Sequence, residues 1–361
     1  MSLVTVGLLS GLPDTPETRA VIMTVTERVL ARMERGEGPP SRSIPRSKDA
    51  FPKVLCLDQN KWIDLARAHY GRKDGASFVD ALAAVRAAVS RNTLMVPIMP
   101  SNLLEASEPT DQGRRERVAQ FLVDLSGNHA FSKPNPVAEL QVHRAIRALF
   151  LGQDVAPFPR EKLVAWGVDF ALGFRMAGND FLVQVLSEPE NSVLALVHAM
   201  SRESIAEGRR LDERAAAAAR AARANGDKAG RLDEELTALF EGGSFSTMLY
   251  KLIDSLGIDR SLFARWLEQN KQRFAAAIPD VDIELRLLLA RDRNTDHPTH
   301  RNDLKDFIFL KLAIPYGNIV VTENAWTHLV RVEGMDQQYR TTVIADAREL
   351  PDLLRQEGCL A

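Results

Sequence analysis

Apolar residues in this chain fall in short runs that give way to helical spacing. KVLCLD at 53–58 is the first such run, and in the QNKWIDLARAHYG that follows, Trp62, Ile63, Leu65 and Ala66 recur as they do on one face of a helix. LMVPIM at 94–99 repeats the pattern and passes through Pro100 and Ser101 into a helix that carries Leu103, Leu104 and Glu105. NIVVT at 318–322 follows a helix at 303–314, and TTVIA at 341–345 precedes one at 349–356. Strands alternating with helices predict an α/β fold, a parallel sheet with helices on both faces.

Two stretches break the alternation. Thr15 and Pro16 have the form of a helix start, with a capping hydroxyl before a proline, and open a predicted helix at 16–35. The Pro, Ser and Gly of 36–48 then read as a linker. Between 134 and 290 the strand signal disappears into Ala, Arg and Glu-rich sequence, which predicts an all-helical insertion or lobe. The expected organisation is an N-terminal helix and linker over 1–50, a first part of the sheet domain at 51–133, the insertion at 134–290, and the second part at 291–361.

A chain of 361 residues with 45% hydrophobic content can bury a sizeable core, and its net charge of -2 supplies no global field for nucleic acid or acidic lipid. Any nucleic-acid contact must be local. Two cysteines, Cys56 and Cys359, argue against a disulfide framework, and neither a signal peptide nor a membrane span is indicated, so a cytoplasmic protein is expected. No phosphate-binding loop, dinucleotide glycine pattern or nucleophile-elbow serine occurs.

The acidic residues change the picture. Asp58 ends the first strand, Glu105 sits a turn into the helix after the second, Asp303 and Asp306 open a later helix, and Glu323 ends the strand at 318–322. All five map to the carboxyl edge of a parallel sheet, where ligand sites lie. Carboxylates brought together repel, and a divalent cation removes that cost. Mg or Mn accepts hard oxygen ligands while keeping waters and room for phosphate oxygens, which points to phosphodiester hydrolysis. Asp58, Glu105, Asp303 and Asp306 are the expected ligands, with Glu323 as a fifth contributor or water positioner. Asn60, Thr322 and Asn324 would orient them.

VLCLDQNKWIDLA resembles the first strand of the PIN-domain family: an apolar strand ending in Asp, one residue, Asn or Ser, then an apolar helix. VPIMPSNLLEAS is similar to the family's second acidic site and places Glu105, and NDLKDFIFLKLAIPYGNIVVTEN resembles the third and fourth, with Asp306 matching the third acid. In many members the last acid is an Asp two positions after a Thr; here that position is Asn324, so either Glu323 supplies the fourth carboxylate or three strong ligands remain. The resemblance covers 51–133 and 292–350 and implies a Mg or Mn-dependent nuclease, RNA ahead of DNA as the polymer, and a toxin or defence setting with an antitoxin or defence-system partner. The alternative is a catalytically weak PIN-like scaffold that binds nucleic acid or protein.

Other residues have competing readings. His297 and His300, with Asp296 or Asp303, have spacing that can serve zinc, although Pro298 argues for a loop. His198 reads as a core histidine, and Trp62, Trp166, Trp266 and Trp326 as packing. Arg114, Arg115 and Arg117 read either as a solvated helix face or as groups that steer a phosphate backbone.

Overall fold

The computed structural model describes residues 51–155 apart from 110, 128 and 132–133, then 163–166, single positions between 206 and 217, 231–293 apart from 242, and 303–360. The helix expected at 16–35, the linker, His198 and the histidine pair of 297–300 lie outside the described residues.

In chain order the elements are β1 Lys53–Leu57, α1 Gln59–His69, α2 Val79–Ser90, β2 Leu94–Met95, α3 Pro100–Ser107, α4 Gln112–Ser126, β3 His129–Phe131, α5 Pro134–Ala145 and β4 Val164–Trp166. There follow α6 Arg231–Glu241, α7 Gly243–Ser255, α8 Arg260–Ala276, α9 Pro279–Arg293, α10 Asp303–Tyr316, β5 Ile319–Val321, α11 Asn324–Val332, α12 Met335–Tyr339, β6 Thr342–Ile344 and α13 Leu350–Gln356.

β2, β1, β5 and β6 form a sheet in that order, every pair parallel, with Leu55 opposite Ile319 and Ile319 opposite Thr342. The chain leaves β1 toward β2 on one side and later returns as β5 on the other. The strand order therefore reverses between β1 and β5, and the crevice beyond their carboxyl ends is where open parallel sheets place their ligands.

Alternation along each strand divides the core. Leu55, Leu57, Ile319 and Val321 point to one face and pack with Trp62 and Leu65 of α1, Val85 of α2, Phe121 of α4 and Leu354 of α13. Val54, Cys56, Val320 and Val343 point to the other and meet Ile283 and Leu287 of α9, Leu310 and Ile314 of α10, and Val330 of α11. Both faces are thus covered by helices, as the continuous apolar runs require.

A third cluster, built on Leu236, Phe240, Leu249, Ile253, Phe263 and Phe274, is the core of a helical lobe from α6 to α8. α9 joins this lobe to the sheet, because Val281 packs into the lobe core and Ile283, Leu287 and Ala290 pack beneath the sheet. The boundary expected at 290 thus cuts through a helix that belongs to both bodies.

The 134–290 region is not all helix. β4 pairs antiparallel with β3, His129 opposite Trp166 and Phe131 opposite Val164. A three-residue strand is too short to show an alternating pattern in sequence. The run at 94–99 also divides: Leu94 and Met95 pair with β1, Pro97 intervenes with no backbone N–H, and Ile98 bridges to Ala130 instead. Among the described residues, no helix is long and apolar enough to cross a membrane.

Candidate active site

Four carboxyl-bearing side chains meet electrostatically at the reversal between β1 and β5. Asp58 follows β1 directly and keeps the strand's extended backbone at ψ 156° while capping α1. Its backbone N–H continues the ladder to the Val321 carbonyl at 3.0 Å. The Asp58 carboxylate accepts the Gln59 N–H at 2.6 Å and the Thr322 hydroxyl at 3.4 Å. It is nearly sealed, at 4% exposure. Burial pushes its carboxyl up to about 6, the neighbouring Glu323 adds to the rise, and the Gln59 N–H, Lys61 and Thr322 oppose it.

Glu105 reaches the site from α3, whose position is fixed by Asn102. The Asn102 side-chain oxygen accepts the Met99 N–H at 3.0 Å and the Trp62 indole N–H at 3.2 Å, while its amide donates to the Leu57 carbonyl at 3.3 Å. One buried amide therefore ties α3 to the end of β1 and to α1. Glu105 stands three residues later, on the same helix face. Burial first, then the charges of Asp58, Asp306 and Glu108, raise its carboxyl to about 8, with Lys305 opposing. Lys305 is itself ion-paired with Glu108.

Asp306 lies in the first turn of α10 and accepts the Trp326 indole N–H at 2.9 Å. Burial, Asp58, Glu323 and Asp303 lift its carboxyl to about 8 against that hydrogen bond. Glu323, exposed at the start of α11, is held by the Asn60 side-chain amide at 2.8 Å. Asn324 is exposed in the first position of that helix. Glu323, not Asn324, is the residue of this pair whose charge acts on Asp58 and Asp306.

Of the sequence-predicted residues, Asp58, Glu105, Asp306 and Glu323 lie within electrostatic reach of one another, and two others stand differently. Asp303 is buried, and one of its oxygens is committed to the buried Arg291 at 3.1 Å, so it carries its own counter-charge. The Asn60 amide donates to Glu323 and the Thr322 hydroxyl to Asp58, whereas among the described residues Asn324 has no hydrogen bond to a site carboxylate.

Three residues escaped the sequence reading. Lys305 was visible as the one cation inside NDLKD. Trp326 does pack, edge to face on Phe307 at 5.3 Å, but it also donates to Asp306. Asn102 carried no sequence signal, because its importance lies in contacts 40 and 45 positions away.

The donor set is chemically suited to Mg or Mn: hard carboxylate oxygens whose mutual repulsion a divalent cation would relieve. Among the described residues, however, no three His, Cys, Asp or Glu side chains close on one point as a ready-made ligand cage. Mg asks for less, since it keeps several waters and is commonly bound through one or two carboxylates together with substrate phosphates. Comparison with known proteins finds no match among protein families, curated proteins or solved structures.

Proposed function

We propose that this chain is a Mg or Mn-dependent nuclease of PIN-like type, hydrolysing phosphodiester bonds, with RNA ahead of DNA as its polymer and a toxin or defence role as its setting. The observation that carries the reading is the coupling of Asp58, Glu105, Asp306 and Glu323 at the strand-order reversal, two of them lifted to about 8. Such like charges are gathered at a cost that a bound cation would offset.

Asp58 and Asp306 would hold the ion, Glu105 would complete the set directly or through water, and Glu323 would act from the rim. When bound, the ion supplies charge neutralisation of the phosphoryl oxygens and lowers the pKa of the attacking water. Glu105, once ionised, would take the proton that water gives up as it adds to phosphorus, and the protonated carboxyl or solvent would return a proton to the ester oxygen, which departs as an alcohol. Trp326 holds one Asp306 oxygen in place, leaving the other for the ion. The Gln59 N–H and the Thr322 hydroxyl each hold one of the two Asp58 oxygens, which fixes the plane of that carboxylate.

A second reading has its own support: a PIN-like scaffold that binds nucleic acid or a protein partner and cleaves weakly. Asn324, where many of the family have an acid, and the absence of a closed ligand cage among the described residues favour it. Asp58→Asn separates the two. Loss of cleavage with strand binding retained supports the nuclease, and a wild-type protein that binds without cleaving supports the scaffold.

A further inference from the structure

A cleft of about 390 Å³ opens between α1 and α4, lined by Ile63, Arg67, Tyr70, Arg72, Arg114 and Arg117 among others. It does not overlap the carboxylates, yet it is connected to them by one helix face. Asn60, Ile63 and Arg67 follow at intervals of three and four residues along α1, which keeps them on one side of it, and Tyr70 caps that helix three residues on. Asn60 holds Glu323 at the acidic end, and Arg67 lies roughly 10 Å further along at 1.5 Å per residue.

The arginines are not equivalent. Arg67 is paired with Asp64 at 3.1 Å and Asp74 at 3.2 Å, and Arg72 with Asp74 at 3.1 Å. Arg114 and Arg117 are exposed, stand three apart on α4, and among the described residues neither is held in an ion pair. The adjacent Arg115 does something else: its guanidinium donates to the Pro109 carbonyl at 2.6 Å. The one carboxylate in the lining, Asp111, caps α4 by accepting the Arg114 N–H at 2.5 Å. Tyr70 is 40% exposed, and its hydroxyl donates to the Arg117 carbonyl at 2.9 Å, which fixes the spacing of the two walls. A positively charged groove with an exposed aromatic ring is the form taken by single-strand binding surfaces.

We propose that this cleft is a subsite for the backbone of a single-stranded nucleic acid, with Arg114 and Arg117 taking phosphates and α1 leading the strand toward the carboxylates. It rests on the nuclease reading for the direction of the strand, but strand binding is measurable without cleavage. The sequence contains three arginines at 114, 115 and 117; the fold assigns two of them to the cleft and one to the chain's own backbone.

The test is fluorescence anisotropy of short labelled single-stranded RNA and DNA with the full chain in EDTA, across a salt series. Arg114→Ala/Arg117→Ala should weaken binding by on the order of tenfold and flatten the salt dependence by about 1.4 in slope, at roughly 0.7 for each phosphate no longer neutralised. Arg265→Ala/Arg273→Ala, which removes two exposed charges from α8 in the lobe, should leave affinity within about twofold. Matched melting curves would establish that both variants fold. Equal weakening by the two pairs, no weakening by the cleft pair, or a wild-type protein that binds neither strand would each overturn the subsite. If the cleft pair alone loses binding while wild-type protein cleaves nothing in Mn, the subsite stands and the nuclease reading fails.

Discussion

Replacing Asp306 by its neutral isostere should stabilise the metal-free protein, and by an amount that depends on pH. The Asp306 carboxyl rises from 3.8 to about 8 because it is buried beside Asp58 and Glu323. Below pH 4 it is protonated in both folded and unfolded chains and imposes no penalty. Between about 4 and 8 the folded chain keeps a proton that the unfolded chain has lost, so stability falls with every unit of pH, and above 8 the penalty is complete. At about 1.4 kcal/mol per unit the ceiling is on the order of 5 kcal/mol. Burial is the largest cause of the rise, and a buried amide keeps part of that desolvation cost, so only a share of the ceiling is recovered. A net gain of roughly 2–3 kcal/mol for Asp306→Asn is then expected above pH 8, with little difference near pH 4.5. Asn keeps an oxygen for the Trp326 indole N–H, so no hydrogen bond need be lost. Urea unfolding in EDTA at pH 4.5, 6.5 and 8.5 measures it. A variant no more stable than wild type at 8.5, or more stable by the same amount at every pH, would show that the carboxylates do not repel as described. A gain in stability with loss of activity is the usual signature of a strained functional site.

Asp303→Ala should behave in the opposite way, costing about 3 kcal/mol in urea unfolding, because it removes a buried carboxylate that pairs with the buried Arg291; a neutral result would return Asp303 to the list of ligands. Mn affinity should strengthen as pH rises from 6 to 8, with protons released on binding, since Glu105 and Asp306 must ionise to coordinate; calorimetry in two buffers of different ionisation enthalpy reads the proton count, and pH-independent binding would contradict the site. Asn102→Ala should cost on the order of 2 kcal/mol by orphaning the Met99 and Trp62 N–H groups, and should lower turnover by loosening Glu105; full activity in a destabilised variant would show that α3 is positioned by other contacts.

The sheet and its acidic edge were legible because both follow from local rules. Apolar runs buried on two faces gave β1 and β5, and the acids one position after β1 and two after β5, Asp58 and Glu323, are sequence-adjacent facts. What was not legible depends on side chains meeting across long separations. Asp303 and Asp306 look interchangeable three residues apart, yet Arg291 claims the first and Trp326 the second. The choice between Glu323 and Asn324 turns on Asn60, 263 positions away from the glutamate it holds. β4 went unseen for a different reason, being three residues long inside a region of strong helical composition.

The most direct test of the central claim is incubation of purified protein with labelled single-stranded RNA and DNA in Mg, Mn or EDTA, beside the Asp58→Asn variant. The predicted result is cleavage of RNA in Mn or Mg, abolished by EDTA and absent in the variant. Cleavage that persists in EDTA or in Asp58→Asn, or no cleavage of either strand by wild-type protein in either metal, would contradict it.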